Sequence, residues 1–598
     1  MGSGESVHLT EGRDRVDLLV RGTLVDVLTG TLRECAVAVD DGEVVSLDPP
    51  DSDRPADREL RAAYVAPGLI DAHTHVEASM VTLSQYGDAV VPRGVISVVH
   101  DPHEIANVLG VEGVRAFVAD ADRTPLKART TVPSSVPASG LQDAGATVDA
   151  DAVATLLDDD RAVALGEVMD VPGLVAGDEG VRAKVRAARE RGLAVDGHAP
   201  GVTGDRLQAA ARFLDNDHES AALAEAREKA DAGLRVYLRE GSTSRNLADL
   251  VGLVDEIDSR RFSLCTDERN PADLLAAGGV DHAVREAMHL GVDPVTAVQL
   301  ATVNTAEAYD LPFGKVTPGA PADLVLLSDL ESWTVEHVVV DGTVDPVDDV
   351  VEPVDEDADA ATDGASPSAP DLTTDTVDFA PVEAADLAIE HPGPGPVTVR
   401  VQSAVGDFRT ERLTAAVPVE TEAPPRGTDA VLVADTTADV LPMAVIERHG
   451  GTESEEEDAP SIGRGFVHNL GLDRGAVGTT VAHDAHNCVV AGRTHETMAA
   501  VANRLREVGG GICVYDSADG SFTTLELPVA GLVADAPLES VAADFEAVDR
   551  AATAVGLSVP GGLLELTYQS LEVIPTYRLT NRGLVDVERG ELVDVVAE

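Results

Sequence analysis

PGLIDAHTHVEASM, residues 67–80, sets a short apolar strand before Asp71 and the pair His73-x-His75. Alternate side chains of an extended strand share a face, so the two imidazoles point the same way, about 7 Å apart along the chain, and can reach one metal ion. A bare H-x-H pair is usually a surface or core feature. The preceding apolar strand and Pro-Gly make this one more specific.

Working outward, residues 66–310 alternate short apolar runs with helical stretches rich in Ala, Arg and Glu. The runs include ISVVHD (96–101), AVALGE (162–167), LAVDGH (193–198), ARFLDNDH (211–218), LRVYLRE (234–240) and FSLCTD (262–267). This βαβα rhythm predicts a parallel (β/α)8 barrel of the TIM type. Polar residues close the runs: Asp101, His103 and Glu104, then Glu167, His198, His218 and Asp267. The C-terminal ends of barrel strands converge on one face. His73, His75, Glu167, His198, His218 and Asp267 would therefore meet, and four imidazoles with two carboxylates suit two divalent cations such as Mn, Fe or Zn. Each residue alone reads as well as a helix cap or a satisfied loop histidine; six together do not.

Both flanks of the barrel read as strands. Residues 1–65 hold hairpin material with an Asp41-Gly42 turn, and ADLVLLSDL and TVEHVVVDG follow within 311–349. The two flanks are expected to pair into one small β-sandwich. Residues 350–376, acidic and poor in bulky apolar side chains, read as a disordered linker, and ESEEEDAP (453–460) as a loop. Residues 377–598 read as a separate C-terminal α/β domain.

Composition narrows the function. The 598 residues carry 106 acidic and 44 basic side chains, a net charge of -62, and only four lysines, Lys127, Lys184, Lys229 and Lys315. Such a surface repels nucleic-acid phosphates, which argues against a nucleic-acid partner. Few lysines and many carboxylates resemble proteins of salt-accumulating halophiles, in which molar salt screens the repulsion. No apolar run reaches membrane-spanning length, Met1 to Arg15 lacks a signal-type apolar segment, and the four cysteines form no C-x-x-C pair. A cytoplasmic protein without a membrane partner is expected.

Further stretches carry a family resemblance: HDPHEIANVLG (100–110), GHAPGVTG (197–204), DHES (217–220), YLREGSTSRNL (237–247), CTDERNPADLL (265–275), GFVHNLGLDRGAVGTTVAHDAHNCVVAG (465–492) and SLEVIPTYRLTNRGLVDV (570–587). With these the chain resembles the adenine deaminases of the amidohydrolase superfamily over nearly its full length, the acidic linker apart. The resemblance implies that 377–598 is that family's C-terminal domain. It implies that His73, His75 and Asp267 hold one metal, His198 and His218 a second, and that Glu167 bridges them, with Mn favoured over Fe or Zn. The implied reaction is hydrolysis of adenine to hypoxanthine and ammonia by attack of metal-activated hydroxide at C6, in purine salvage, by a homo-oligomer. Asp267 would move the protons. Glu77 and Glu104 rank equally as the donor to N1, and His103 would face the purine. Arg239, Ser242 and Arg245 would line the pocket rim. The His483-Asp484-x-His486-Asn487 cluster is open to three readings: closure over the barrel mouth, an additional ion, or an internal turn. Ala78, Glu268 and Asn270 depart from the family pattern. Two other functions fit the same residues: hydrolysis of another purine-like or pterin-like amidine or cyclic amide, and a non-catalytic metal-binding homologue.

Overall fold

Eight parallel strands build the centre of the molecule: β5 (Leu69–Thr74), β6 (Val95–His100), β7 (Lys127–Val132), β8 (Ala162–Val168), β9 (Ala194–Gly197), β10 (Asn216–Asp217), β11 (Arg235–Arg239) and β12 (Phe262–Cys265). They follow β1 (Val16–Asp26), β2 (Thr31–Asp40), β3 (Glu43–Asp48) and β4 (Ala56–Pro67) of the N-terminal flank. This is a computed structural model; it describes residues 15–347, 372, 374–393, 395–406, 408–420, 430–450 and 461–597. The loop expected at 453–460 and most of the linker expected at 350–376 lie outside the described residues.

Strands β5 to β9 form one ladder and β10 to β12 another. Side chains and loop backbone join the two into a barrel. At one seam Asp215 N–H donates to the Val195 carbonyl at 2.9 Å, and Gly197 and Ala199 donate to the side chains of Asn216 and Asp217 at 3.2 and 2.8 Å. At the other, Thr266 donates to Asp71 through its hydroxyl at 2.7 Å, and Thr74 bridges Asp267 in parallel. β5 and β6 are buried along their whole length, as strands covered on both faces must be.

Two strands differ from their reading in the sequence. ARFLDNDH contributes only Asn216–Asp217 to the sheet, because Leu214 closes the preceding helix and is buried with that helix's Leu207 and Ala210. β7, KARTTV, has no apolar run to announce it. Its basic side chains are held instead by neighbours: Lys127 donates to Asp323 and Asp341 at 2.7 Å, and Arg129 lies over the Phe313 ring.

The flanks join as expected. β13 (Leu324–Asp329), β14 (Thr334–Val340) and β15 (Thr343–Val344) complete a seven-stranded sheet ordered β15-β14-β13-β4-β1-β2-β3. The sheet folds over until its ends touch, with the Asp41-Gly42 turn 3.1 Å from the Asp341 backbone measured from a Cβ placed on Gly42. Asp41 and Gly42 both take positive φ, 55° and 80°, as a two-residue hairpin turn requires.

The C-terminal segment folds as an eight-stranded sheet between helices. His495–Val508 packs Met498, Val501, Ala502 and Leu505 on one face; Leu538–Ala554 packs Leu538, Val541, Phe545 and Val548 on the other. The second face shares one apolar cluster with the barrel helices, and Ala534 N–H donates to the Met80 carbonyl at 2.9 Å. Among the described residues, no helix is long and apolar enough to cross a membrane.

Lys229 braces the weak seam. Wholly buried, its Nζ donates to the Ala199 carbonyl and Asp217 at 2.7 Å and to Glu225 at 2.8 Å. Lys229→Met leaves both carboxylates uncompensated and is expected to cost about 3–5 kcal/mol, the scale for breaking a buried pair. Melting at fixed salt is expected to fall by roughly 2–4 °C.

Candidate metal centre

His73 is the last but one residue of β5, and His75 follows just beyond the strand. The ring Nδ1 of His75 donates to the Asp101 carbonyl at 3.0 Å. That bond fixes the tautomer and turns the Nε2 lone pair inward, as a metal-binding histidine requires. Inside stand Asp267 Oδ1, 3.2 Å from His75 Nε2 and 3.4 Å from His73 Nε2, and Glu167 Oε1, 3.6 Å from His75 Nε2.

Glu167 lies between two groups of imidazoles. Oε1 faces His75 and the Nδ1 of His103 at 3.4 Å. Oε2 faces His198 Nδ1 at 2.7 Å and His218 Nε2 at 3.1 Å. Asp101 Oδ2 accepts from the Glu167 backbone at 3.0 Å, and a Cβ on Gly166 would fall 2.3 Å from that oxygen. Glycine at 166 is thus what lets Asp101 reach beneath Glu167.

Asp267 sits in the left-handed region, φ 58°. Three bonds hold it there: its N–H donates to the His73 carbonyl at 2.9 Å, and its own carbonyl accepts from His75 N–H at 2.7 Å and the Thr74 hydroxyl at 3.1 Å. Strain of this kind persists where surrounding contacts over-determine it. Arg239 was expected at the rim. It is instead buried, donating to Asp267 Oδ2 at 2.5 Å and also to Glu219.

The structure therefore gathers His73, His75, Glu167, His198, His218 and Asp267, and adds His103 and Glu219. Donor atoms close enough to share a cation occur in the groups His73–His75–Asp267, His73–Glu167–His218, His75–His103–Glu167 and His198–His218–Glu219. Both ring nitrogens of His73 are buried without a hydrogen-bond partner, which suits a ligand and not a structural histidine. Imidazole and carboxylate without thiolate fit divalent cations of the Mn, Fe or Zn type. Glu219 was legible only as part of DHES; nothing in the sequence alone turns it toward His218.

The two carboxylates ranked as proton donors separate. Burial, and then the charge of Glu104, pushes Glu77 up to about 7; its Oε1 accepts from Ile105 N–H at 3.3 Å and its Oε2 has no hydrogen-bond partner. Burial would raise Glu104 too, but the imidazoles of His483, His486 and His103 outweigh it and hold Glu104 well below the carboxylate range. His483 Nδ1 lies 2.9 Å from Glu104 Oε1, and His486 Nε2 bonds Oε2. Of the three readings of the His483–Asn487 cluster, the geometry matches approach to the barrel mouth. Ala482 N–H donates to His486 Nδ1 at 3.2 Å, which places the proton on Nε2, facing Glu104, and leaves no lone pair there for an ion. The departures from the family pattern are local. Asn270 caps the helix Pro271–Ala277, and Glu268 accepts from Thr243 at 3.1 Å and from Tyr568.

Barrel, folded-over flanking sheet and histidine–carboxylate cluster define a hydrolase of the amidohydrolase type, and the Amidohydrolase family model matches residues 64–344. The model for the adenine deaminase C-terminal domain matches 414–591. An adenine deaminase of Methanothermobacter thermautotrophicus is 37% identical over 583 residues, 97% of this chain and 100% of the relative. One of Nitratidesulfovibrio vulgaris is 38% identical over 588 residues, 97% and 96% of the two chains. The chain belongs to the adenine deaminase family. Among solved structures, N-acetyl-D-glucosamine-6-phosphate deacetylase from Mycobacterium smegmatis superposes with a TM-score of 0.42 at 18% identity, over 55% of this chain and 99% of that one.

Proposed function

We propose that the protein hydrolyses adenine to hypoxanthine and ammonia in the cytoplasm, with two divalent cations, Mn foremost, held by His73, His75, Glu167, His198, His218 and Asp267. The observation that carries this reading is the convergence of those six side chains on Glu167 and Asp267, in a chain related to adenine deaminases from end to end. Bound cations would supply hydroxide from water at neutral pH. The residues do the rest. Asp267 Oδ1 takes a proton from the attacking water and returns it to the departing amine. Arg239, on the other oxygen, keeps Asp267 ionised and aimed.

Glu77 donates to N1, where negative charge develops. Its unpartnered Oε2 sets it apart from Glu104, whose oxygens both face imidazoles. Glu77→Gln is expected to lower kcat about 10²-fold or more, the range for a positioned general acid, with bound metal unchanged. Metal analysis beside steady-state rates checks this.

The activity itself is tested by incubating the protein with Mn²⁺, molar KCl and adenine, and following absorbance loss and ammonia release. Turnover of a different aminopurine or pterin with adenine untouched would overturn the assignment.

A further inference from the structure

We infer that Asp484, brought to the barrel mouth by the C-terminal domain, binds the substrate by accepting the ring N–H of the purine, and that this selects the free base over its nucleoside. The inference rests on the proposed adenine hydrolysis.

The segment holding Asp484 is fixed from several sides. His483 N–H donates to the Thr567 carbonyl at 2.9 Å, and His483 Nδ1 and His486 Nε2 meet the two oxygens of Glu104 at the start of the helix His103–Ala119. Asn487 donates to the Asp143 carbonyl at 2.8 Å, in the loop that follows β7. Arg448 donates to the His486 carbonyl. The bonds to Glu104 and Asp143 cross from one domain to the other, those to Thr567 and Arg448 anchor the segment within its own domain, and together they hold it beside His103.

Asp484 lies within this anchored segment. It is 5% exposed, and its Oδ2 accepts no hydrogen bond. Its neighbours His483 and His486 meet Glu104, the residue next to His103, which brings this segment against the candidate centre. A buried carboxylate oxygen without a donor is costly and calls for a partner. Adenine carries three N–H groups. Two belong to the exocyclic amine, which must lie by Asp267 to be protonated as it leaves. The third is on the five-membered ring and is left for Asp484. A ribosyl group on that nitrogen removes the donor and puts bulk against the carboxylate.

The test uses the full-length, metal-loaded protein with Asp484→Asn and Asp484→Ala, read by KM and kcat for adenine, by metal content and by rates with 9-methyladenine, which lacks the N9 proton. Losing a hydrogen bond to a charged acceptor is expected to raise KM for adenine about tenfold or more in D484A, with the isosteric D484N between it and the parent. Metal content and kcat stay within about twofold on this reading, and the preference for adenine over 9-methyladenine narrows. An unchanged KM in both variants, or a loss of metal with KM preserved, overturns the role of Asp484 while leaving adenine hydrolysis standing. A parent protein inactive on adenine overturns both.

Discussion

Asp267→Asn is expected to lower kcat/KM for adenine by about 10³–10⁴-fold, the upper range for loss of a positioned acid–base group that also holds a metal. Asp267 Oδ1 faces both imidazoles of the H-x-H pair, at 3.2 and 3.4 Å. The amide keeps the volume but removes the charge, so it neither balances a cation nor carries a proton. The backbone, locked at φ 58° by bonds that do not involve the carboxylate, should not move. Arg239 keeps Glu219 as a partner, so no buried cation is left alone. The fold is therefore expected to survive, melting within a few degrees of the parent, while bound metal falls from two to one per chain. Metal analysis and rates on the same sample check both halves. A variant with full activity would remove Asp267 from the mechanism.

How much of this could be read from the chain follows from where the information is stored. His73 and His75 are fixed by the pleat of one strand, so two residues of separation give their common direction. Glu167, His198, His218 and Asp267 each end a run, and the barrel converts that local mark into a shared location without further signal. Arg239 ends β11 as regularly as Glu167 lies near the end of β8. The sequence alone puts it at the rim, because a guanidinium says nothing about burial until its carboxylate partners, Asp267 and Glu219, are in place. Glu77 and Glu104 could not be separated in the sequence for a similar reason. What distinguishes them is a pair of histidines nearly 400 positions away, set by how two domains dock. The run ARFLDNDH marks β10 but overstates it, since only two of its residues join the sheet, and β7 escapes because KARTTV carries no apolar run.

On dialysis from molar KCl to below about 0.1 M the protein is expected to unfold cooperatively, because the Debye length grows from about 3 to about 10 Å across that range and a charge of -62 becomes unscreened. The lysines support this reading of the surface. Lys127, Lys184 and Lys229 are each bonded internally, to Asp323, to the Ser134 carbonyl and to Asp217. They contribute little free positive charge to offset the exposed carboxylates. Exposed pairs such as Arg186–Glu179 and Arg115–Glu112 are of the kind worth at most about 1 kcal/mol each. The core has small reserve: aromatic residues make up 3% of the chain, so Ala, Val and Leu must fill it. Circular dichroism follows the global transition. Trp333, buried and donating to the Arg93 carbonyl at 3.0 Å, reports by fluorescence on the junction between barrel and flanking sheet. Replacing KCl by an uncharged osmolyte of equal osmolarity separates screening from solvent exclusion, since only ions shorten the Debye length. Retention of the native signal and melting point at 10 mM salt would show that the carboxylates are tolerated without screening, and that the charge reflects ancestry and not a requirement of the fold.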